Sequence, residues 1–191
     1  MKHHINNKKT DEELVQMMNS GSKLAFEILY DRYSLSLFQF FYSRFSNKEK
    51  AEDFLQNTFL TLFQKGETFD PSRKFSSWIY TIAHNQCKNE FRNLSRGYHQ
   101  VENFDFNGLV SNNGKSSERM DSSIFSEQLG LALKELSHEQ QSSFILRFKH
   151  HFSIREISEI LRCSEGTTKS RLFYCLKKLA KKLKQFNPYT L

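Results

Sequence analysis

The sequence is poor in residues that interrupt helices and in residues that cross-link small domains. Its 191 residues include two prolines, seven glycines and three cysteines. With so few prolines, long helices are free to form. Cys87, Cys163 and Cys175 are odd in number and far apart, which argues against a disulfide framework and favours a reducing compartment. No segment shows sustained alternation of β-branched residues, so we expect an all-α fold.

Long apolar runs and catalytic motifs are also absent. The N-terminus has no apolar signal segment, and nowhere do about 18 apolar residues follow one another, so we expect a cytoplasmic protein without membrane insertion. There is no glycine-rich phosphate loop, nucleophile elbow or paired-histidine motif. His84 and Cys87 have the spacing of metal ligands, but no second pair completes a tetrahedral set. We therefore predict no catalytic residue, no metal, no cofactor and no enzymatic activity.

Positive charge is present in excess, and it is unevenly distributed. The net charge is +7, of which residues 71–100 carry +4, residues 101–139 carry −4 and residues 140–191 carry +8. A basic surplus of this kind favours a polyanionic partner, although solvated helix faces account for part of it. The sequence thus contains two basic blocks separated by an acidic stretch.

Residues 96–123 differ in composition from the rest of the chain. They are rich in Ser, Asn and Gly. Such a segment is too long for a loop inside one compact domain, so we interpret it as a flexible linker. It joins a helical domain over residues 11–95 to a smaller one over 124–186, with tails at 1–10 and 187–191.

Capping residues and apolar periodicity predict four helices in the first domain. They start at Asp11, Ser22, Lys48 and Phe75 and end near residues 19, 45, 65 and 95, with Thr10 as the first cap. The third helix has an apolar stripe: Ala51, Phe54, Leu55, Phe59, Leu62 and Phe63. On the fourth, several polar, basic or aromatic residues are expected at the surface: Tyr80, His84, Asn85, Lys88, Asn89 and Arg92. Cations beside aromatic rings suit unstacked bases and their phosphates.

A helix-turn-helix is predicted over about residues 153–175. Ser153 and Glu156 form a capping box, a break follows at residues 162–164, and Ser164 caps a basic helix that begins at Glu165. Apolar or small residues at helical spacing are expected to face inward: Ile154, Ile157, Ile160, Leu161, Thr168, Leu172, Leu176 and Leu179. The alternative is an ordinary helical hairpin in an all-α core.

Three motifs, in order, resemble the small two-domain extracytoplasmic-function (ECF) sigma factors of bacterial RNA polymerase, which belong to the sigma-70 family. Residues 53–60 (DFLQNTFL) are similar to the family's polymerase-binding helix. Residues 75–85 (FSSWIYTIAHN) are similar to its promoter-melting and minus-ten segment, and residues 166–172 (GTTKSRL) to its minus-thirty-five helix. The resemblance covers almost the whole chain.

The resemblance implies a factor that binds core RNA polymerase, directs it to promoter DNA and helps to melt the minus-ten element. The implied polymerase contacts are Asp53, Gln56, Asn57, Phe59 and Leu60. The implied minus-ten contacts are Lys74, Phe75, Ser76, Trp78, Tyr80, His84, Asn85, Lys88, Asn89 and Arg92. The implied minus-thirty-five contacts are Thr167, Lys169, Ser170, Arg171, Phe173 and Tyr174. An anti-sigma partner is also implied.

Three positions depart from the family pattern. Asn57 stands where an acidic residue is usual, Thr168 where Val is common, and Tyr174 where Arg is frequent. We expect Thr168 either to lose some packing or to bond back to its helix, and Tyr174 to change the preferred promoter. Two other functions stay open: a stand-alone helix-turn-helix regulator that binds duplex DNA without polymerase, and a helical scaffold that binds no DNA.

Overall fold

The structure, a computed structural model, describes residues 9–96, 124–125 and 128–186, and within these ranges it contains helices and no strand. The all-α prediction is therefore confirmed. Most of the predicted tails and linker lies outside the described residues. The chain divides into two compact units, one over Met1–Phe41 and Asn47–His99 and the other over Tyr42–Ser46 and Gln100–Leu191. The exact domain limits 11–95 and 124–186 stay a prediction.

The first unit is built from four helices whose ends agree with the predicted ends to within one residue. They are α1 (Asp11–Asn19), α2 (Lys23–Phe45), α3 (Lys48–Lys65) and α4 (Phe75–Arg96), with a 3-10 turn at Gly66–Thr68 after α3. The last turn of α2 belongs to the second unit. The capping box of α1 is present: Thr10 Oγ1 accepts a hydrogen bond from the Glu13 N–H, and the Glu13 carboxylate accepts one from the Thr10 N–H. These caps satisfy N–H groups that a helix cannot satisfy itself.

Aromatic rings fill the core of the first unit. Phe40 and Phe75 are fully buried, and the Phe40 ring lies 5.5 Å from that of Tyr80. Phe41 of α2 stacks on Phe54 of α3 at 5.5 Å. Each buried Phe contributes about 3 to 5 kcal/mol relative to Ala, so these contacts hold α2, α3 and α4 in place.

The second unit is a smaller helical cluster. A helix over residues 128–134 (α5) is followed by α6 (His138–Phe144), which continues as a π-helical turn, and by α7 (Ile154–Leu161) and α8 (Glu165–Lys182). Its core consists of side chains that are almost completely buried: Leu133, Ile145, Leu146, Ile157, Ile160, Leu172, Cys175 and Leu179. Among the described residues, no helix is both long and apolar enough to cross a membrane.

Candidate nucleic-acid interface

The start of α4 is held by a residue from another helix. The backbone N–H of Phe75 donates to Glu12 Oε1 of α1 at 3.0 Å. A carboxylate at a helix N-terminus satisfies a free N–H and interacts favourably with the helix dipole. Glu12 therefore positions the segment around Lys74 to Trp78. Sequence reasoning missed Glu12, because no local signal joins residues that lie so far apart in the chain.

One side of α4 faces away from the core of the first unit. Trp78, Asn85, Asn89 and Arg92 recur at helical spacing on this side, opposite the buried Ile79, Ala83 and Cys87. The Trp78 ring is half-buried, and its centroid lies 5.5 Å from that of Phe69. A partly exposed aromatic ring held by a buried neighbour offers a fixed surface on which a base can stack.

Two aromatic residues predicted to contact DNA lie in the core instead. Tyr80 was expected at the surface, and this expectation is wrong: the residue is only 3% exposed. It follows Trp78 by two positions, which is more than half a helical turn, so it lies on the opposite side of α4. Burial raises the pKa of the Tyr80 hydroxyl, against the effect of a hydrogen bond with Ser36. Phe75 is fully buried against Tyr33 and Phe69, so direct contact with DNA would require its ring to leave the core.

The polar residues predicted around α4 are accessible to different degrees. Four are exposed: Lys74, Lys88, Asn89 and Arg92. Three are half-buried: Ser76, His84 and Asn85. Lys88 and Arg92 lie on the same helix as Trp78, and Lys74 directly precedes it, which suits binding to both the bases and the phosphates of a single strand.

The predicted polymerase-binding residues form an exposed face of α3, with one exception. Asp53, Gln56 and Asn57 are exposed, Leu60 is 53% exposed, and Phe59 is buried. The centroid of the Phe59 ring lies 4.6 Å from that of Tyr30 of α2, so Phe59 helps to fix α3 against α2 and is not part of the exposed face.

Phe63 extends this face. It belongs to the apolar stripe of α3, but 69% of its surface is exposed. It lies at the edge of the stripe, near Gln56 and Leu60, where neighbouring helices do not cover it. Its ring contacts Phe26 of α2 at 6.3 Å.

The helix-turn-helix has the predicted caps and boundaries. Ser153 forms the capping box with Glu156, and Ser164 Oγ accepts from the Thr167 N–H at 3.0 Å. Arg162 ends α7 in the left-handed region, at φ 50° and ψ 51°. A non-glycine residue in this conformation costs about 1 kcal/mol, which here allows the sharp turn between α7 and α8.

Thr168 bonds across this turn rather than back to its own helix. It is completely buried, and its Oγ1 lies 3.4 Å from Cys163 Sγ. Arg171 Nη1 also donates to this sulfur, at 3.6 Å. Arg171 is half-buried and directed towards the turn, so it is less accessible than the sequence suggested.

The other predicted minus-thirty-five contacts are exposed on α8. Thr167 and Ser170 are exposed, and the exposed rings of Phe173 and Tyr174 pack edge to face at 5.4 Å. Lys169 is exposed and lies 3.9 Å from the carboxylate of Glu165, a distance at which the ion pair is weak.

Leu176 was expected to face inward, and this expectation is wrong. It is exposed, whereas Leu172 and Leu179 are buried. It lies to one side of the buried stripe of α8.

Fold and surfaces together define the class of protein. One unit contains a helix-turn-helix whose second helix presents polar, basic and aromatic side chains, which is the arrangement that reads duplex DNA in the major groove. The other contains a helix with a half-buried Trp beside exposed cations, which suits an unpaired strand. The class is a helical protein with a helix-turn-helix in one unit and a helix with an aromatic and basic exposed face in the other.

Family comparison then identifies the family. The Sigma-70 region 2 model matches residues 29–97, and the Sigma-70, region 4 model matches residues 132–181. Together these ranges cover more than half of the chain; the first contains α4, and the second contains all but the last residue of α8. The chain belongs to the sigma-70 family of RNA polymerase sigma factors, which confirms the resemblance stated above.

The curated relatives are ECF sigma factors. The ECF RNA polymerase sigma factor BldN of Streptomyces coelicolor is 29% identical over 172 residues, which span 90% of this chain and 65% of that protein. The ECF RNA polymerase sigma factor SigW of Bacillus subtilis is 25% identical over 177 residues, which span 89% of this chain and 95% of that protein. The chain thus spans about two thirds of BldN and almost all of SigW.

Two solved structures share the fold. CnrH, in complex with the cytosolic domain of CnrY, has a TM-score of 0.66 and 22% identity, with 93% of this chain and 99% of that chain covered. The sigma factor RpoE from Bartonella quintana, in complex with the anti-sigma factor NepR, has a TM-score of 0.66 and 24% identity, with 83% and 96% covered. At these identities the likeness supports the fold alone.

Proposed function

We propose that this ECF sigma factor binds core RNA polymerase through the exposed face of α3, reads a minus-thirty-five element with α8 and holds the melted minus-ten element with α4. The observation that carries the proposal is the presence, in one chain, of two helices with chemically different exposed faces: α8 of the helix-turn-helix, and α4 with its half-buried Trp78 and exposed cations. A stand-alone regulator needs the helix-turn-helix, but it has no use for a second helix suited to unpaired bases.

The two helices contribute different parts of the binding energy. In α8, side chains such as Ser170 and Lys169 discriminate base pairs at about 1 to 3 kcal/mol for each good base contact. In α4, stacking on Trp78 and contacts from Lys88 and Arg92 offset the few kcal/mol that an extruded base loses by unstacking. Strand opening is thus driven by binding energy, without nucleotide hydrolysis by this chain.

The polymerase supplies the chemistry of RNA synthesis, so the protein acts as an initiation factor and not as an enzyme. Asp53, Gln56 and Asn57 provide polar contacts on α3, and Leu60 provides an apolar one. Because its proposed partners, core polymerase and promoter DNA, are in the cytoplasm, the protein acts there.

An anti-sigma protein is the further partner in this proposal. The support is that the RpoE neighbour is bound to the anti-sigma factor NepR, and the CnrH neighbour to the cytosolic domain of CnrY. Purification of the protein from unstressed cells of its source should retrieve one further protein in stoichiometric amount. Retrieval of polymerase alone would count against this partner.

The strand-opening role is tested by reversing two charges on α4. With Lys88→Glu and Arg92→Glu together, holoenzyme should form open complexes at least about tenfold less well, because each reversal places an acidic group beside phosphates. Permanganate reactivity of unpaired thymines measures the opening. Lys23→Glu, at the start of α2, is the control for a charge reversal outside α4, since Lys23 is exposed and lies on a different helix.

Holoenzyme that contains the Lys88→Glu, Arg92→Glu variant should still bind duplex minus-thirty-five DNA as wild-type holoenzyme does. Unchanged permanganate reactivity in the Lys88→Glu, Arg92→Glu holoenzyme would contradict the assignment of α4. Equal losses in the Lys23→Glu control would show a general charge effect and would contradict it as well.

A further inference from the structure

The structure separates four lysines of α8 that appear equivalent in the sequence. Lys182 Nζ lies 2.7 Å from Glu135 Oε1, and Lys178 Nζ donates to the Glu135 backbone carbonyl at 2.5 Å. The hydrogen bond from Lys182 lowers the pKa of the Glu135 carboxyl, consistent with a formed ion pair. Lys177 and Lys181 are exposed and have no hydrogen bond or ion pair within the part of the chain that the structure describes.

This division follows from the geometry of the helix. At about 100° per residue, Lys177 and Lys181 lie opposite the buried stripe of α8, whereas Lys178 and Lys182 flank that stripe. The buried stripe consists of Thr168, Leu172, Cys175 and Leu179. Lysines that flank the stripe reach their own unit, and lysines opposite it face away from that unit.

The outward lysines continue the face that carries the predicted base-reading residues. Ser170, Phe173 and Tyr174 lie on the same side of α8 as Lys177 and Lys181, one to three helical turns closer to its N-terminus. The helix rises about 1.5 Å per residue, so Lys181 lies about 16 Å beyond Ser170 along the axis. The major groove is about 12 Å wide, so a helix that reads bases near Ser170 brings the lysines to the edge of the groove, where the phosphates lie.

We propose that Lys177 and Lys181 bind backbone phosphates of the DNA next to the element that α8 reads, while Lys178 and Lys182 attach α8 to its own unit through Glu135. The inference rests on the proposed function, because it requires α8 to enter the DNA. Phosphate contacts fix the position and orientation of a recognition helix and carry no base preference themselves. The surface therefore extends the DNA interface beyond the residues that read sequence.

The competing explanation is that Lys177 and Lys181 are an ordinary solvated helix face. The two explanations differ in the salt dependence of binding, because each phosphate neutralised by a lysine releases condensed counterions. The slope of log K against log salt concentration changes by about 0.9 for each such contact on duplex DNA. A solvated face contributes no local contact to this slope.

The test uses the full chain in complex with core polymerase and a fluorescent promoter duplex on which wild-type holoenzyme initiates. Affinity is measured by anisotropy at a series of salt concentrations for wild type, for Lys177→Gln with Lys181→Gln, and for Lys178→Gln with Lys182→Gln. Both variants lose two positive charges from neighbouring turns of one helix. The second is therefore a matched control for net charge.

The slope should become shallower by about 2 in the Lys177→Gln, Lys181→Gln variant, with no change in the Lys178→Gln, Lys182→Gln control. The ratio of affinities for the native and a mutated minus-thirty-five element should stay constant, because phosphates do not report base identity. An unchanged slope in the Lys177, Lys181 variant, or an equal change in the control, would overturn the inference and leave the proposed function intact. Failure to find any promoter on which wild-type holoenzyme initiates would instead overturn the proposed function.

Discussion

Glu12 shows how a single residue outside the predicted motifs determines the position of the candidate DNA-melting segment. Its carboxylate accepts from the first N–H of α4, while its neighbour Asp11 accepts from Arg32 and from the Tyr33 hydroxyl of α2. Two adjacent acidic residues of α1 thus connect α1 to the two longer helices. Residues 11–70 carry a net charge of −4, and this acidic surplus is therefore partly structural.

We expect Glu12→Ala to destabilise the first unit by about 1 to 2 kcal/mol, because it removes both the acceptor and the charge at the start of α4. Glu12→Gln should cost less, since its amide oxygen still accepts a hydrogen bond. Trp78 is the only tryptophan and lies in this unit, so urea unfolding followed by its fluorescence reports on this unit separately. A loss below about 0.3 kcal/mol for Glu12→Ala would contradict the capping role.

The contact between Thr168 and Cys163 explains how the chain accommodates a polar residue at a buried position. The Thr168 hydroxyl stands where the family commonly has an aliphatic side chain, and the structure gives it a polar partner, the Cys163 thiol in the turn. A buried hydroxyl costs little when it is hydrogen-bonded, so the departure from the family pattern is accommodated locally. Arg171 contacts the same thiol and is thereby oriented towards the turn.

At the scale of the element, the exposed side of α3 combines polar and apolar residues in a way that suits a protein partner. Leu60 and Phe63 are largely exposed, although their neighbours Phe59 and Leu62 are buried. A pair of exposed apolar side chains beside Asp53 and Gln56 fits an interface with an apolar centre and a polar rim. This is the face that we assign to core polymerase.

We expect Leu60→Ala with Phe63→Ala to lower the affinity for core polymerase by at least about tenfold, since each side chain buried at an interface contributes about 1.5 to 3 kcal/mol. Leu35→Ala is the control for loss of an exposed apolar side chain elsewhere, because Leu35 is 67% exposed and lies on the side of α2 turned away from Tyr30 and Phe26. Anisotropy of labelled protein titrated with core polymerase measures the affinity. An unchanged affinity in the double variant, with stability retained, would contradict the docking face.

At the scale of the whole molecule, the caps and the apolar periodicity of the sequence were sufficient to predict α1 to α4, α7 and α8, whereas α5 and α6 were not predicted. The capping boxes at Thr10 and Ser153 act within three residues, so they are visible in the sequence. Contacts between distant residues are not visible there. Tertiary packing determines that Tyr80 is buried and that Glu12 caps α4. It also determines that Lys178 and Lys182 pair with Glu135.

Transcription in vitro with bacterial core polymerase on a pooled genomic library, with and without this protein, tests the central claim most directly. We expect protein-dependent start sites that share two upstream elements at a fixed spacing, because α4 and α8 each require an element. The absence of such starts, together with the absence of polymerase binding, would contradict the account. Tight binding to duplex DNA without polymerase would then indicate a stand-alone regulator, and no DNA binding would indicate a scaffold.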